Sequence, residues 1–408
     1  MQSNTLRHLD RYVGVPVCCF LTVLRWIFSF FSKQSVDFSQ PRKFLIIKLS
    51  EMGSTVLAYP SFLQLKNNLP ESEMFFITFI DNRPIVDALG LIRSENIITI
   101  NDKNIFTLIG SGFYCMFRLL TEKIDVTIDM DFFSRFTAAF AYLICRKTRV
   151  GFHNFTVQGL WRGNLLTHPV MYSPHVHTSI AFFSLISALF VTDKSSIYLR
   201  SKIDANFMQI PDYRPDGTIV ENITAKLKSN GVDINSHEKR LIIVNPNSSD
   251  IFPLRKWPCE RFAKLCSRLF SEFPDIQIVI TGMESEKDDA REILNRADNS
   301  KCVDLMGKTS FPELLALYSL ADLMITNDSG PAHFASLLKL PTIVLFGPET
   351  PRLYSPLNDA CKCIYSGFAC SPCVSVYNAK MSPCNDNRCM KAISVKEVFC
   401  EVIEMLEH

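Results

Sequence analysis

Short, nearly continuous apolar runs alternate along this chain with stretches of helical spacing, and the alternation begins twice. In the first half, residues 43–49, 74–80, 96–100, 124–130 and 148–152 read as strands. Between them, helical spacing covers 55–68, with Leu57, Phe62 and Leu65 inward, then 84–89, 105–120 and 132–145. In the second half the strands fall at 241–244, 276–280, 301–305, 323–326 and 341–346, with helices at 259–270, 286–295, 312–319 and 334–340. Strands apolar on both faces and separated by helices indicate a parallel sheet covered on each side. The predicted fold is α/β, with two doubly wound, Rossmann-like domains whose carboxyl edges face each other across a cleft. The segment 193–239 is more polar and carries Pro211, Pro215 and Gly217. That composition places an interdomain connection at 201–238, between an N-terminal domain over 40–200 and a C-terminal domain over 239–392. A final helix, 395–406 within the tail 393–408, is expected to pack back onto the body.

The first 39 residues stand apart. Residues 12–31 are almost wholly apolar, broken by Arg25 and bracketed by Arg7, Arg11 and Lys33. A spanning helix needs about 20 apolar residues, and Arg25 inside it would cost roughly 2.5–3.5 kcal/mol near the bilayer centre. Pro16 and Gly14 weaken a continuous helix further. The expectation is an interfacial or shallowly inserted anchor with basic residues facing anionic lipid, ahead of a span or a helix packed on the protein. No small-residue cleavage site follows the run, which disfavours a signal peptide. Length and composition fit this picture: 408 residues suffice for two full cores, and 47% hydrophobic with 21% charged residues is globular. A formal charge of +2 argues against a nucleic-acid partner. The 14 cysteines, without an export signal, are expected to be reduced thiols in a cytoplasmic setting.

Candidate chemistry gathers where strands end. Asp328-Ser329-Gly330-Pro331-Ala332-His333 follows the 323–326 strand and opens a helix. In open α/β sheets that edge is where ligands bind, and a helix amino terminus offers N–H groups to phosphate; alone, the motif equally describes a capped turn. After the first strand of the second half comes Asn245-Pro246-Asn247-Ser248-Ser249, then Arg255-Lys256-Trp257-Pro258. Ser248 and Ser249 are hydroxyl donors, and Arg255 or Lys256 can neutralise a diphosphate, or the two cations are a solvated pair. Glu286, after the next strand, suits ribose hydroxyls or simply favours the helix it opens. In the first half, Lys48-Leu49-Ser50-Glu51-Met52-Gly53-Ser54-Thr55 joins a strand to a helix, with Gly53 for close approach and Ser54 as a cap. It is not a Walker loop, and no Gly-x-Gly-x-x-Gly occurs, so a dehydrogenase is disfavoured.

Two groups stay open. Cys370, Cys373, Cys384 and Cys389 read as free thiols in a packed loop, as structural zinc ligands or as disulfides; their spacing departs from a paired Cys-x2-Cys site. His153, His168, His175 and His177, near Trp161 and Arg162, show no paired metal spacing and are left unassigned.

Ile46-Ile47-Lys48-Leu49-Ser50-Glu51-Met52-Gly53 resembles the opening motif of glycosyltransferase family 9, the lipopolysaccharide heptosyltransferases. Arg255-Lys256-Trp257-Pro258 and Asp328 to His333 are similar to its nucleotide-side motifs, and Leu345-Phe346-Gly347-Pro348 to its next strand end. The resemblance covers about residues 43–400. It implies a GT-B fold and an inverting, metal-independent transfer, without cofactor, from a nucleotide sugar (typically ADP-heptose) to a lipid-linked glycan acceptor. The setting would be the cytoplasmic face of the inner membrane, with the enzyme peripheral or anchored through its N-terminal segment. By the same resemblance, Arg255 stands where the family usually has a phosphate-binding lysine, and Glu286 near the ribose. Asp328, Ser329, Gly330 and His333 would surround the diphosphate and donor sugar, and Thr309 would line the adenine pocket. One departure matters: the family's first motif continues Gly-Asp, the aspartate being its proposed base, and here that position is Ser54. A serine is no base at neutral pH unless another group activates it. Glu51 is the substitute carboxylate, with Asp129 and Asp131 less direct. That departure keeps a non-catalytic or weakly active sugar-nucleotide binder in view, and a transferase using another nucleotide sugar also stays open, since nothing in the sequence distinguishes heptose from a hexose.

Overall fold

In the computed structural model, which describes residues 3–28, 42–145, 147–153, 160–191, 203, 207–232, 239–248, 252–297, 302–378 and 380–407, each round of alternation folds into a parallel sheet. The chain divides into two compact units, Met1–Gln209 with Val376–Lys380, and Ile210–Ser375 with Met381–His408.

The first unit is built on β1 (Lys43–Ile47), β2 (Glu73–Phe79), β3 (Ile97–Ile100), β4 (Val126–Asp129), β5 (Thr148–His153) and β6 (His168–Met171). Their order is β3-β2-β1-β4-β5-β6. The order in which strands are added therefore reverses between β1 and β4, and Ile47 and Asp129 lie side by side at that switch point. Its helices are α1 (Ser3–Tyr12), α2 (Gly14–Phe28), α3 (Met52–Asn68), α4 (Arg83–Leu89), α5 (Ile105–Glu122), α6 (Arg135–Ile144) and α7 (Thr178–Ser187). Leu45, Ile47, Phe75, Ile77 and Ile98 meet Cys115 and Leu119 of α5 and Phe140 and Ile144 of α6 on one face of the sheet. β6 and α7 were not anticipated. On β6 only Val170 is buried, so this edge strand carries no continuous apolar signal.

The helices α1 and α2 belong to the same compact unit as this sheet. Asp10 accepts from Arg135 N at 2.8 Å and Phe136 N at 2.9 Å, placing a carboxylate at the start of α6. Cys18 and Leu21 of α2 pack on Ala138, Ala139 and Leu165. Arg25, awkward in a bilayer, donates to Leu166 O at 2.8 Å and Asn164 Oδ1 at 3.1 Å. The remainder of the apolar run and Lys33 lie outside the described residues. No helix among the described residues is long and apolar enough to cross a membrane.

The second unit repeats the topology with β7 (Arg240–Asn245), β8 (Ile276–Ile280), β9 (Cys302–Asp304), β10 (Leu323–Asn327), β11 (Thr342–Phe346) and β12 (Cys361–Tyr365), in the order β12-β11-β10-β7-β8-β9. Its helices are α8 (Gly217–Ser229), α9 (Cys259–Glu272), α10 (Lys287–Arg296), α11 (Phe311–Ser319), α12 (Gly330–Ser336), α13 (Pro351–Tyr354), α14 (Arg388–Ala392) and α15 (Val395–Glu407). The stretch read as a connection contains α8, which Asp216 caps through Thr218 N at 2.9 Å and which Lys226 ties to Glu313 of α11 at 2.6 Å. The final helix α15 does pack on α9: Phe399 lies in the core, with the Arg268 guanidinium 3.8 Å from its ring centroid.

Candidate functional site

In the second unit β7 and β10 adjoin at the switch point, and their carboxyl ends are polar. Asn327, fully buried, accepts from Trp257 N at 3.0 Å and donates to Pro246 O at 2.6 Å. Trp257, also buried, donates through Nε1 to Ile393 O at 3.0 Å. These bonds fix the turn that carries Arg255. Its guanidinium has Nε 3.4 Å from Asp328 Oδ2 and Nη2 3.1 Å from Glu349 Oε1, and lies 4.5 Å from the Phe252 ring centroid. Both carboxylates are buried, so each offsets the cost of desolvating the cation. The result is an arginine held in one orientation at the sheet's carboxyl edge.

The other residues expected on the donor side take separate places. Lys256 turns to Asp289 on α10, 2.7 Å away, rather than joining Arg255. Glu286 is buried and accepts from Met283 N at 3.3 Å, so the helix-opening role is one it fills. Ser248 donates to Phe252 O at 3.0 Å and Ser329 to Asn327 O at 3.2 Å, both bracing turns. Gly330 begins α12, His333 is buried within it, and Thr309 is half-buried in the turn before α11. Ser249 lies outside the described residues. Gly282 runs so close to Asn247 and Met306 that any side chain there would collide with both.

In the first unit, the β1–α3 turn meets the end of β4. Asp129 and Arg162, both fully buried, pair at 2.7 Å. Thr137 Oγ1 and Asp131 N also donate to Asp129, at 2.9 Å and 3.1 Å. Gly151 of β5 leaves room for the guanidinium; a Cβ there would lie 2.6 Å from Arg162 Nη2. Asp131 accepts from Leu49 N at 2.9 Å and has Lys48 Nζ 3.9 Å away. Burial pushes its carboxyl up to about 6 against the opposing Lys48, and burial likewise lowers Lys48. Glu51 is different. It sits in the left-handed region at φ 68°, with its side chain 33% exposed against 12% for Asp131 and 0% for Asp129. Lys380, on the short 376–380 segment, pairs with it, and Ser54 Oγ donates to Glu51 O at 2.9 Å and lies 3.3 Å from Oε2. Of the three carboxylates, Glu51 is the accessible one. Ser54 is buried beneath it.

Glu349 and Lys380 escaped the sequence reading. Glu349 stands just past the Gly347-Pro348 turn, a signal that was there to be used; nothing local marks Lys380. Among the described residues no group of three or more metal-capable side chains converges, and Cys370, Cys373, Cys384 and Cys389 form no disulfide. His177 Nδ1 lies 2.7 Å from Ser179 Oγ at the start of α7, and His168 Nδ1 2.9 Å from Thr167 Oγ1.

Each of the two units is a doubly wound, Rossmann-like α/β domain with polar turns at its switch point. Residues 115–382 match the profile of glycosyltransferase family 9 (heptosyltransferase), and the chain belongs to that family. It is 31% identical over 186 residues to lipooligosaccharide heptosyltransferase 2 of Campylobacter jejuni, covering 45% of this chain and 56% of that protein. There the match spans little more than half the relative's length. With the Haemophilus influenzae lipooligosaccharide heptosyltransferase 2 the identity is 25% over 327 residues, covering 77% of this chain and 86% of that protein. The fold is similar to that of the E. coli ADP-heptose lipopolysaccharide heptosyltransferase II, with a TM-score of 0.68 at 17% identity, covering 89% of this chain and 98% of that one.

Proposed function

We propose that this protein transfers heptose from ADP-heptose to a lipid-linked acceptor of the lipopolysaccharide core, with inversion and without a metal ion. The observation that carries the reading is Arg255, fixed by Asp328 and Glu349 at the carboxyl edge of the second sheet, in a chain of this family. A positioned guanidinium offsets negative charge as the sugar–diphosphate bond breaks, which is the service a metal ion would otherwise provide. Asp328, Ser329, Gly330 and His333 orient the donor, with Ser248 contributing a hydroxyl and Thr309 and Glu286 serving the nucleoside. In a single displacement the acceptor oxygen bonds to the anomeric carbon as the bond to the diphosphate breaks. ADP leaves, and the acceptor's proton passes to Glu51. Glu51 is favoured over Asp129 and Asp131 because it is the most exposed of the three carboxylates. A lipid-linked acceptor places the work at the cytoplasmic face of the inner membrane.

A second reading, a sugar-nucleotide binder without transfer, is favoured by one residue, the Ser54 that replaces the family's aspartate. Calorimetric titration with a panel of sugar nucleotides tests the donor assignment. ADP-heptose is expected to bind, and Asp328→Ala, which removes one of the two carboxylates holding Arg255, to weaken it at least about tenfold. Tighter binding of a different sugar nucleotide would reassign the donor, and no binding across the panel would sink the proposal.

A further inference from the structure

We propose that the outer face of the layer formed by α2, α6 and α5 docks on a lipid bilayer bearing anionic headgroups, a surface far wider than the N-terminal helix alone. The inner faces of these helices are already used. α5 and α6 cover the sheet through Cys115, Leu119, Phe140 and Ile144, and α2 packs beside α6 through Cys18 and Leu21. Their outer faces are apolar as well. Phe106, Phe113 and Phe117 of α5 are 84%, 63% and 71% exposed and fall on one stripe of the helix. Phe20 and Trp26 of α2 and Phe136 of α6 are exposed as well.

Location is the decisive fact. Of 22 exposed large hydrophobic residues among the described residues, five lie on α2, six on α5 and two on α6. Among the described residues of the second unit, the exposed large hydrophobics are Met283 and Met381 alone. A soluble surface rarely carries so concentrated an apolar patch without something to cover it, and a helix apolar on all sides belongs in a core or against lipid.

Charge and side-chain type select lipid over a second copy of the chain. α2 carries Arg25 and no carboxylate, and α5 carries none before Glu122. Arg11 precedes α2, while Lys103 and Lys123, both exposed, bracket α5. Basic residues flanking an apolar stripe suit anionic headgroups. Trp26 and Tyr114, exposed within the patch, are the ring types that settle at the headgroup level. No helix among the described residues is long and apolar enough to cross a membrane. The inference rests on the transferase reading for its purpose, since a lipid-linked acceptor is met at a bilayer surface. Its physical basis is independent.

Flotation of the full chain with vesicles tests it, in the absence of donor and acceptor. The protein is expected to float with phosphatidylglycerol-containing vesicles and only weakly with pure phosphatidylcholine. Phe106→Ser/Phe113→Ser/Phe117→Ser should lower partitioning at least about tenfold, with melting temperature and ADP-heptose binding unchanged because all three rings are exposed. Phe20→Ser/Trp26→Ser should act in the same direction. An α5 triple variant that floats like the parent would overturn the inference. So would a parent that ignores vesicles and sediments as a dimer split by the same substitutions. Flotation without ADP-heptose binding would remove the transferase reading and leave the docking surface standing.

Discussion

Glu51→Gln is expected to slow heptosyl transfer by about 10²–10⁴-fold, the usual loss when a general base is removed, while ADP-heptose affinity stays within about threefold. The split follows from placement: Glu51 belongs to the β1–α3 turn of the first unit, and the residues assigned to the donor belong to the second. Loss confined to kcat marks an interaction made in the transition state rather than in donor binding. Its pairing with Lys380 offers a competing account, in which Glu51 only anchors the 376–380 segment. Two companions separate them. Lys380→Met removes the pairing and keeps the carboxylate, so it should retain most of the turnover. Ser54→Asp added to Glu51→Gln restores a carboxylate where the Glu51 and Ser54 side chains lie 3.3 Å apart, and should recover part of the rate. If Glu51→Gln turns over like the parent, the base is elsewhere.

Arg162→Leu is expected to destabilise the protein by about 3–5 kcal/mol, because it leaves Asp129 buried without its cation. In thermal unfolding followed by circular dichroism, that is a drop of roughly 10 °C for a unit of this size. The guanidinium also donates to Phe152 O at 2.9 Å through Nε, so its loss unties β5 from the end of β4. Arg162→Leu/Asp129→Leu should regain part of the loss, since replacing a whole buried pair is cheaper than breaking it. A single variant that melts with the parent would show that Asp129 is accommodated by Thr137 and the Asp131 N–H alone.

The architecture was largely legible because most strands are buried on both faces. Ile276 to Ile280 stands out in any apolar profile, and it is β8 to the residue. β6 and α8 were hidden because one buries a single residue and the other is mostly polar with only Ile223 and Leu227 inward. The apolar N-terminal run showed a helix but not its neighbour. Lipid and the Ala138-Ala139-Leu165 surface reward burial alike, and only the fold reveals that one face of α2 takes the second. Arg255 and Asp328 were visible because each follows an apolar strand. Their pairing is a matter of tertiary structure: Arg255 reaches Asp328 over 73 positions and Glu349 over 94, and Lys380 reaches Glu51 over 329. Spacing along a chain carries no record of such meetings.

The central claim is transfer itself. Incubating the purified protein with ADP-heptose and a heptose-deficient lipopolysaccharide core acceptor, and weighing the acceptor by mass spectrometry, tests it most directly. The expected result is one added heptose for each ADP released, with no requirement for added divalent metal. Donor that binds tightly while the acceptor mass stays unchanged and no ADP appears would contradict it, and would make the Ser54 replacement the mark of a binding protein.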